Sequence, residues 1–141
     1  MKGTHHINLT PEFAEGIDTW LISGEPERTE KIYNRLDSQD SFQDSWIETG
    51  RKLPVGRGVL RRKIKGRTHE VNVGVATSGM GLGSAEIVTM EMVDVYIKRV
   101  KEFYRGLVEA ATKSNHGPIN ILRTGTAGSH QKHVYGGHIV I

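Results

Sequence analysis

The sequence contains no cysteine, few aromatic residues and no long hydrophobic run. Without cysteine the protein cannot form disulfides, a thiolate zinc site or a cysteine nucleophile. Aromatic residues make up 6% of the chain and the formal net charge is only +3, so a nucleic-acid-binding face is not expected. No stretch approaches the roughly 18 apolar residues of a membrane span, and the N-terminus lacks the apolar segment of a signal peptide. We therefore expect a cytoplasmic protein that binds neither nucleic acid nor membrane.

The chain does have enough apolar residues for one core. Its 141 residues, 36% of them apolar, predict a single domain over residues 1–141. The one dense basic patch, residues 57–67, alternates apolar and basic positions. This pattern is typical of a strand or hairpin with one solvated face.

Short apolar runs alternate with helical patterns along the chain. The predicted strands are residues 19–24, 58–64, 70–79, 119–125 and 137–141, and the predicted helices are residues 25–36 and 84–113. Residues 36–50 show little periodicity and predict a connection. Long apolar strands alternating with helices predict an α/β fold, with a mixed central sheet flanked by helices.

Three glycine-containing loops follow predicted strands: SGEPER (23–28), TSGMGLGS (77–84) and RTGTAGS (123–129). Each alone could be a tight turn. Together, at the edge where α/β sheets bind ligands, they favour a phosphate or a phosphorylated ligand, and Arg28 and Arg123 supply forked donors for it. The glycines of the second loop do not reproduce the dinucleotide fingerprint, so a dinucleotide-binding domain is a weaker alternative. His130, His133 and His138 lack a supporting carboxylate, and no metal site is expected.

Five motifs in sequence order resemble the N-terminal half of the nucleoside phosphorylase superfamily, specifically uridine phosphorylase and its hexameric purine relatives. They are HINLTPEF (6–13), LISGEPERTEKI (21–32), GRKLPVGRG (50–58), TSGMGLGSAEI (77–87) and ILRTGTAGS (121–129). The resemblance implies a pentosyltransferase that cleaves the N-glycosidic bond of uridine with phosphate, giving uracil and ribose 1-phosphate. Inorganic phosphate is then a co-substrate, and no cofactor is implied. Purine nucleoside phosphorylase and a non-catalytic phosphate- or nucleoside-binding module are the alternatives.

The resemblance also implies roles for individual residues. The phosphate-binding residues are Gly24, Arg28, Arg51, Arg123 and Thr126, of which Arg28 and Arg123 are the catalytic ones, and the nucleoside-binding residues are His6, Met80 and Gly128. Gly79 is expected to line the site between phosphate and ribose. Arg51 and His6, which binds the ribose 5′-hydroxyl, would serve the neighbouring subunit of a homodimer with shared active sites. Such dimers build hexamers in the bacterial-type relatives, and Thr126 favours the uridine-specific branch over the purine branch.

Some features depart from the family pattern. Lys52 stands where bacterial uridine phosphorylases carry an acid that helps to hold a monovalent cation, and Arg57 competes with Arg51 for the same role. In the family, the residues that recognise the base and the remaining ribose hydroxyls come from the C-terminal half. We therefore expect these 141 residues to be a fragment that binds phosphate but turns over poorly alone.

Overall fold

The computed structural model describes residues 3–17, 19–37, 46–47, 51, 53–107 and 119–125, with residues 99–107 described by their backbone alone. The elements are β1 (Thr19–Ser23), α1 (Pro26–Tyr33), β2 (Trp46–Ile47), β3 (Val55–Ile64), β4 (Arg67–Thr77), α2 (Leu82–Leu107) and β5 (Asn120–Thr124). The predicted mixed α/β fold is confirmed.

The five strands form one sheet in the order β2-β3-β4-β1-β5. β1 lies between β4 and β5 and is parallel to both, whereas β3 is antiparallel to β4 and to β2. The parallel part of the sheet therefore contains the three strands that precede the glycine loops.

Alternate residues of β1 enter separate clusters on the two faces of the sheet. Trp20 and Ile22 belong to a cluster with the N-terminal segment and the buried residues of α2, which are Val88, Met92 and Val95. Leu21 packs instead against a cluster that contains Tyr33 at the end of α1. Period-two alternation in a buried strand thus gives each face its own apolar layer.

Gly74 of β4 makes room for the largest fully buried side chain. It is paired in register with Trp20, and a Cβ atom at position 74 would overlap the indole ring. The sequence of β4 is therefore matched to a bulky neighbour on β1.

The hairpin of β3 and β4 differs from the expectation in two ways. Both strands begin three residues earlier than predicted, and residues 61–70 are exposed throughout, although one buried face was expected. The physical reason is length: β1 pairs with β4 only from Val73 onward, so the far half of the hairpin extends past the sheet. Its turn, Lys65 and Gly66, has φ angles of 49° and 80°, as two-residue hairpin turns require.

The connection predicted over residues 36–50 is wrong in part, because it contains the two-residue strand β2. Trp46 packs on Tyr33, with ring centroids 4.8 Å apart, and is paired with Gly56. α2 begins at Leu82, two residues earlier than predicted. The predicted C-terminal strand 137–141 and helical residues 108–113 lie outside the described residues.

Candidate functional site

The carboxyl ends of the three parallel strands lie at one level. Ser23, the last residue of β1, is in register with Thr77 of β4 on one side and with Thr124 of β5 on the other. The three glycine loops therefore begin side by side at one edge of the sheet, which we call the carboxyl edge. Ligands of open α/β sheets bind at such an edge.

Two of these loops approach each other closely, and Arg123 lies beside them. A Cβ atom on Gly24 would lie 3.5 Å from the carbonyl oxygen of Gly79 and 4.0 Å from Nη2 of Arg123. A Cβ atom on Gly125 would lie 3.7 Å from Nη1 of the same guanidinium. The structure thus brings together three of the predicted site residues, Gly24, Gly79 and Arg123, and gives the edge a fixed positive charge.

Arg28 stands in the first turn of α1, at the same edge. α1 begins with Pro26 directly after the β1 loop, so its unpaired backbone N–H groups start there. Nη2 of Arg28 lies 3.5 Å from a carboxylate oxygen of Glu25, in a pair that is partly exposed on both sides. Exposed pairs of this kind contribute little to stability, so the guanidinium can exchange Glu25 for a bound anion at small cost.

Buried hydroxyl groups connect the strand ends beneath the loops. Oγ1 of Thr29 lies 2.7 Å from Oγ of Ser23 and 2.7 Å from Oγ1 of Thr77, and all three residues are fully buried. Ser23 Oγ also donates to the carbonyl oxygen of Glu25 at 2.9 Å. We call Ser23, Thr29 and Thr77 the hydroxyl cluster. It fixes α1, and with it Arg28, relative to β1 and β4.

The loop after β4 is shaped by glycine and presents apolar side chains. Gly79 and Gly81 have φ angles of 75° and 88°, a region that residues with a Cβ atom rarely adopt. Between and after them, Met80 is 81% exposed and Leu82 is 86% exposed. Met80 therefore lies at the carboxyl edge, with its side chain open to solvent.

Arg51 and Arg57, the two candidates for the same phosphate-binding arginine, differ in their surroundings. Arg57 is buried: its Nη1 donates to the carbonyl oxygen of Phe13 at 2.6 Å, and its Nη2 donates to that of Glu15 at 2.9 Å. Burial lowers the pKa of Arg57, and the charge of Glu15 partly restores it. Arg51 is exposed in a turn. The guanidinium of Arg57 is thus hydrogen-bonded to the N-terminal segment, and of the two arginines only Arg51 has a guanidinium accessible to a ligand.

His6 is held by a residue that the sequence did not single out, Glu91 of α2. Nδ1 of His6 lies 2.6 Å from Oε1 of Glu91, and the backbone N–H of His6 donates to the same oxygen at 2.8 Å. The backbone N–H of Ile7 donates to Oε2 at 3.1 Å. Burial raises the pKa of the Glu91 carboxyl, but hydrogen bonds from His6, Thr4 and Ile7 outweigh it and leave that pKa below its ordinary value.

Other predicted positions are not reached by the described part of the chain. Thr126, Gly128, Lys52 and the histidines at 130, 133 and 138 all lie outside it. Among the residues that are described, no group of three or more histidine, aspartate or glutamate side chains is arranged to hold a metal ion. Within the same ranges, every helix is too short or too polar to cross a membrane.

Sequence reasoning missed the hydroxyl cluster and Glu91. Glu91 did carry a signal, because it is an acid on the helix face that otherwise holds Val88, Met92 and Val95. Thr29 carried none, since threonine in a short helix is ordinary and its partner Thr77 is 48 residues away.

The chain was compared with models of known protein families. The model of the phosphorylase superfamily matches residues 21–141, which include all three glycine loops. A comparison with curated proteins finds no match.

Proposed function

The chain belongs to the phosphorylase superfamily, and from this premise we propose that it acts on uridine, cleaving the N-glycosidic bond with inorganic phosphate to give uracil and ribose 1-phosphate. Members of the superfamily bind nucleoside and phosphate, and the family match supports a nucleoside phosphorylase-type activity. The uridine preference rests on the resemblance of the loop that contains Thr126.

The observation that carries the proposal is the common level of Ser23, Thr77 and Thr124 at the carboxyl edge. It supports a phosphate site built from the backbone N–H groups of the β1 loop and the guanidinium groups of Arg28 and Arg123. Phosphate at neutral pH is a mixture of monoanion and dianion, and paired guanidinium donors match its oxygens in geometry as well as charge.

This arrangement fits the chemistry of phosphorolysis. Phosphate attacks the anomeric carbon as the bond to the base breaks, and the sugar gains oxocarbenium character. Donors that hold the phosphate in line lower the entropic part of the barrier, while the phosphate charge stabilises the developing positive sugar. Because phosphate is the nucleophile, no covalent bond to a protein side chain is needed.

We propose further that two copies share their sites, with Arg51 and His6 of one copy completing the carboxyl edge of the other. In support, Arg51 is exposed and His6 is bound to α2 through Glu91. In the described residues, neither has a hydrogen bond or ion pair with Arg28 or Arg123.

The test of the function measures phosphate binding by calorimetry and phosphorolysis by ultraviolet absorbance, with uridine and inosine compared at equal concentration. Arg28→Ala and Arg123→Ala should each weaken phosphate binding and lower kcat/KM by about 100-fold, the loss of roughly 2.7 kcal/mol of transition-state stabilisation. The matched control is Arg35→Ala, an exposed arginine just after the other end of α1.

The outcomes separate the candidate functions. Faster turnover of inosine than of uridine would support the purine alternative. Phosphate binding with neither turnover nor formation of a ternary complex with either nucleoside would support a non-catalytic module. If Arg35→Ala and Arg123→Ala weaken phosphate binding equally, the site is not at the carboxyl edge.

A separate experiment tests the shared site. If the proposal is right, Arg51→Ala and Arg123→Ala each have strongly reduced activity when alone. Mixed and reassembled chains should recover about a quarter of the wild-type activity, because half of the dimers are then mixed and have one intact site. No recovery in a mixture shown to exchange subunits would contradict the sharing.

A further inference from the structure

The N-terminal segment packs on α2 through apolar side chains and is hydrogen-bonded to it through one partly buried carboxylate, that of Glu91. Glu91 accepts hydrogen bonds from the backbone N–H groups of His6 and Ile7 and from Nδ1 of His6, and its side chain is only 14% exposed. This carboxylate therefore anchors the part of the segment around His6 and Ile7 to α2.

These contacts determine which nitrogen of the His6 ring carries the proton. An ionised carboxylate only accepts hydrogen bonds, so a 2.6 Å contact with Oε1 requires a proton on Nδ1. In the neutral imidazole, Nε2 is then unprotonated and is an acceptor. The side chain of His6 is 22% exposed, so part of the ring is open to solvent.

We propose that Glu91 is a positioning residue for ligand binding: it holds His6 in the Nδ1-protonated form, so that Nε2 accepts a hydrogen bond from a hydroxyl group of the nucleoside sugar. This inference rests on the proposed function, since it deepens the role given there to His6. A hydroxyl donor is the partner that an unprotonated ring nitrogen selects. A ligand that offers only acceptor atoms at this point is disfavoured.

Few other charged or titratable side chains lie near the pair of His6 and Glu91 in the described part of the chain. The ring of His5 meets that of His6 edge to face, with centroids 4.8 Å apart. On α2, Asp94 lies close to the segment but is paired with Lys98 at 2.6 Å. Glu91 is thus the one carboxylate that contacts His6 directly among the residues the structure describes, and Asp94 offers a control one turn away.

The first measurement determines the tautomer of His6 by nitrogen-15 NMR of the full chain, with the His6 signals assigned through a His6→Gln variant. Wild type should show a protonated Nδ1 and an unprotonated Nε2 at pH 8. Glu91→Gln keeps one acceptor oxygen and places an amide N–H₂ against the remaining donors, so the Nδ1-protonated population should fall. Asp94→Asn should leave the wild-type spectrum unchanged. Unchanged His6 signals in Glu91→Gln, or an Nε2-protonated wild type, would overturn the proposal.

The second measurement titrates uridine and inorganic phosphate separately by calorimetry. Glu91→Gln should bind uridine about tenfold more weakly, the equivalent of roughly one hydrogen bond, and should bind phosphate as wild type does. Addition of uridine should shift Nε2 of His6 in the wild type, whereas 5′-deoxyuridine and 2′-deoxyuridine identify which hydroxyl is bound.

The two proposals fail in distinguishable ways. If uridine binds the wild type but Nε2 does not respond, or if Glu91→Gln binds uridine normally, the positioning role is wrong and the proposed function stands. If the wild type binds neither uridine nor phosphate, the proposed function is wrong, and the ligand part of this proposal fails with it. In that case, the tautomer measurement still reports whether Glu91 fixes the ring.

Discussion

Replacing Thr29 by valine tests whether the hydroxyl cluster holds the carboxyl edge together. Valine has nearly the shape of threonine but no hydroxyl, so the change removes hydrogen bonds and leaves the packing. Each hydroxyl of the cluster has one proton to donate. Oγ1 of Thr29 lies 2.7 Å from Oγ of Ser23 and 3.2 Å from the carbonyl oxygen of Glu25. We propose that Thr29 donates across the shorter contact, so that the direction runs from Thr77 to Thr29, from Thr29 to Ser23, and from Ser23 to the carbonyl oxygen of Glu25.

The magnitude follows from this direction. Thr29→Val removes two hydrogen bonds of about 1 kcal/mol each and leaves the buried hydroxyl of Thr77 without an acceptor, so the loss should total about 2–4 kcal/mol. With about 0.3 kcal/mol per kelvin expected for a chain of this length, Tm should fall by about 7–13 °C. Thr77→Val removes one hydrogen bond and strands no donor, and should cost only about 1 kcal/mol.

The assay is urea unfolding of the two single variants and of the double variant. The double variant should lose at least about 1 kcal/mol less stability than the two single losses added together, because no unpaired hydroxyl is left in it. Thr68→Val, in the exposed part of β4, is the matched control and should change stability by less than about 0.5 kcal/mol. Additive losses, or equal losses from Thr29→Val and Thr77→Val, would refute the proposed direction of the cluster.

Three further predictions concern other parts of the fold. The pKa of Glu91 in the folded protein is below its ordinary 4.5, so its ionised form stabilises the protein above that pH. The free energy of unfolding should therefore decrease as the pH falls from 4.5 through the folded-state pKa. Urea titration of Glu91→Gln over the same pH range should show a smaller decrease. Gly74→Ala forces a methyl group into the indole of Trp20 and should cost about 1–3 kcal/mol or more by thermal unfolding, whereas Gly83→Ala meets open space in α2 and should stabilise by about 0.5–1 kcal/mol. Arg57→Met leaves two carbonyl groups without their donor and should lower the free energy of unfolding by about 3 kcal/mol, without changing phosphate affinity. Weaker phosphate binding by a folded Arg57→Met variant would show that Arg57 contributes to the phosphate site.

Local signals predicted β1, β5 and the start of α1 to within one residue, whereas α1 ends three residues earlier than predicted. β1 and β5 are apolar runs that end at glycine, and α1 begins with Pro26 after an acid, so the boundaries are determined by residues inside or next to each element. The loops were predicted for the same reason. What the sequence could not give is the register that sets Ser23 level with Thr77 and Thr124, because register depends on which side chains pack across strands.

The errors arose where distant contacts override local preference. β2 has only two residues, and its pairing with Gly56 comes from tertiary packing of Trp46 on Tyr33. β3 begins earlier than predicted because its first residues include the glycines at 56 and 58, and glycine has a low strand propensity. A basic residue in a strand usually faces solvent, so the burial of Arg57 could not be read from its neighbours.

Arg57 and Glu91 together explain how an N-terminal segment without helix or strand is held in place. Arg57 of β3 binds the carbonyl oxygens of Phe13 and Glu15, and Glu91 of α2 binds the N–H groups of His6 and Ile7. The Arg57 cation thus holds one end of the segment through its carbonyl groups, and the Glu91 anion holds the other end through its N–H groups. The apolar side chains of the segment lie in the core between these two ends. Because both charged groups are bonded to backbone groups of the same segment, we expect loss of either anchor to loosen the segment at the other. The position of His6 should then depend on Arg57 of the sheet as well as on Glu91 of α2.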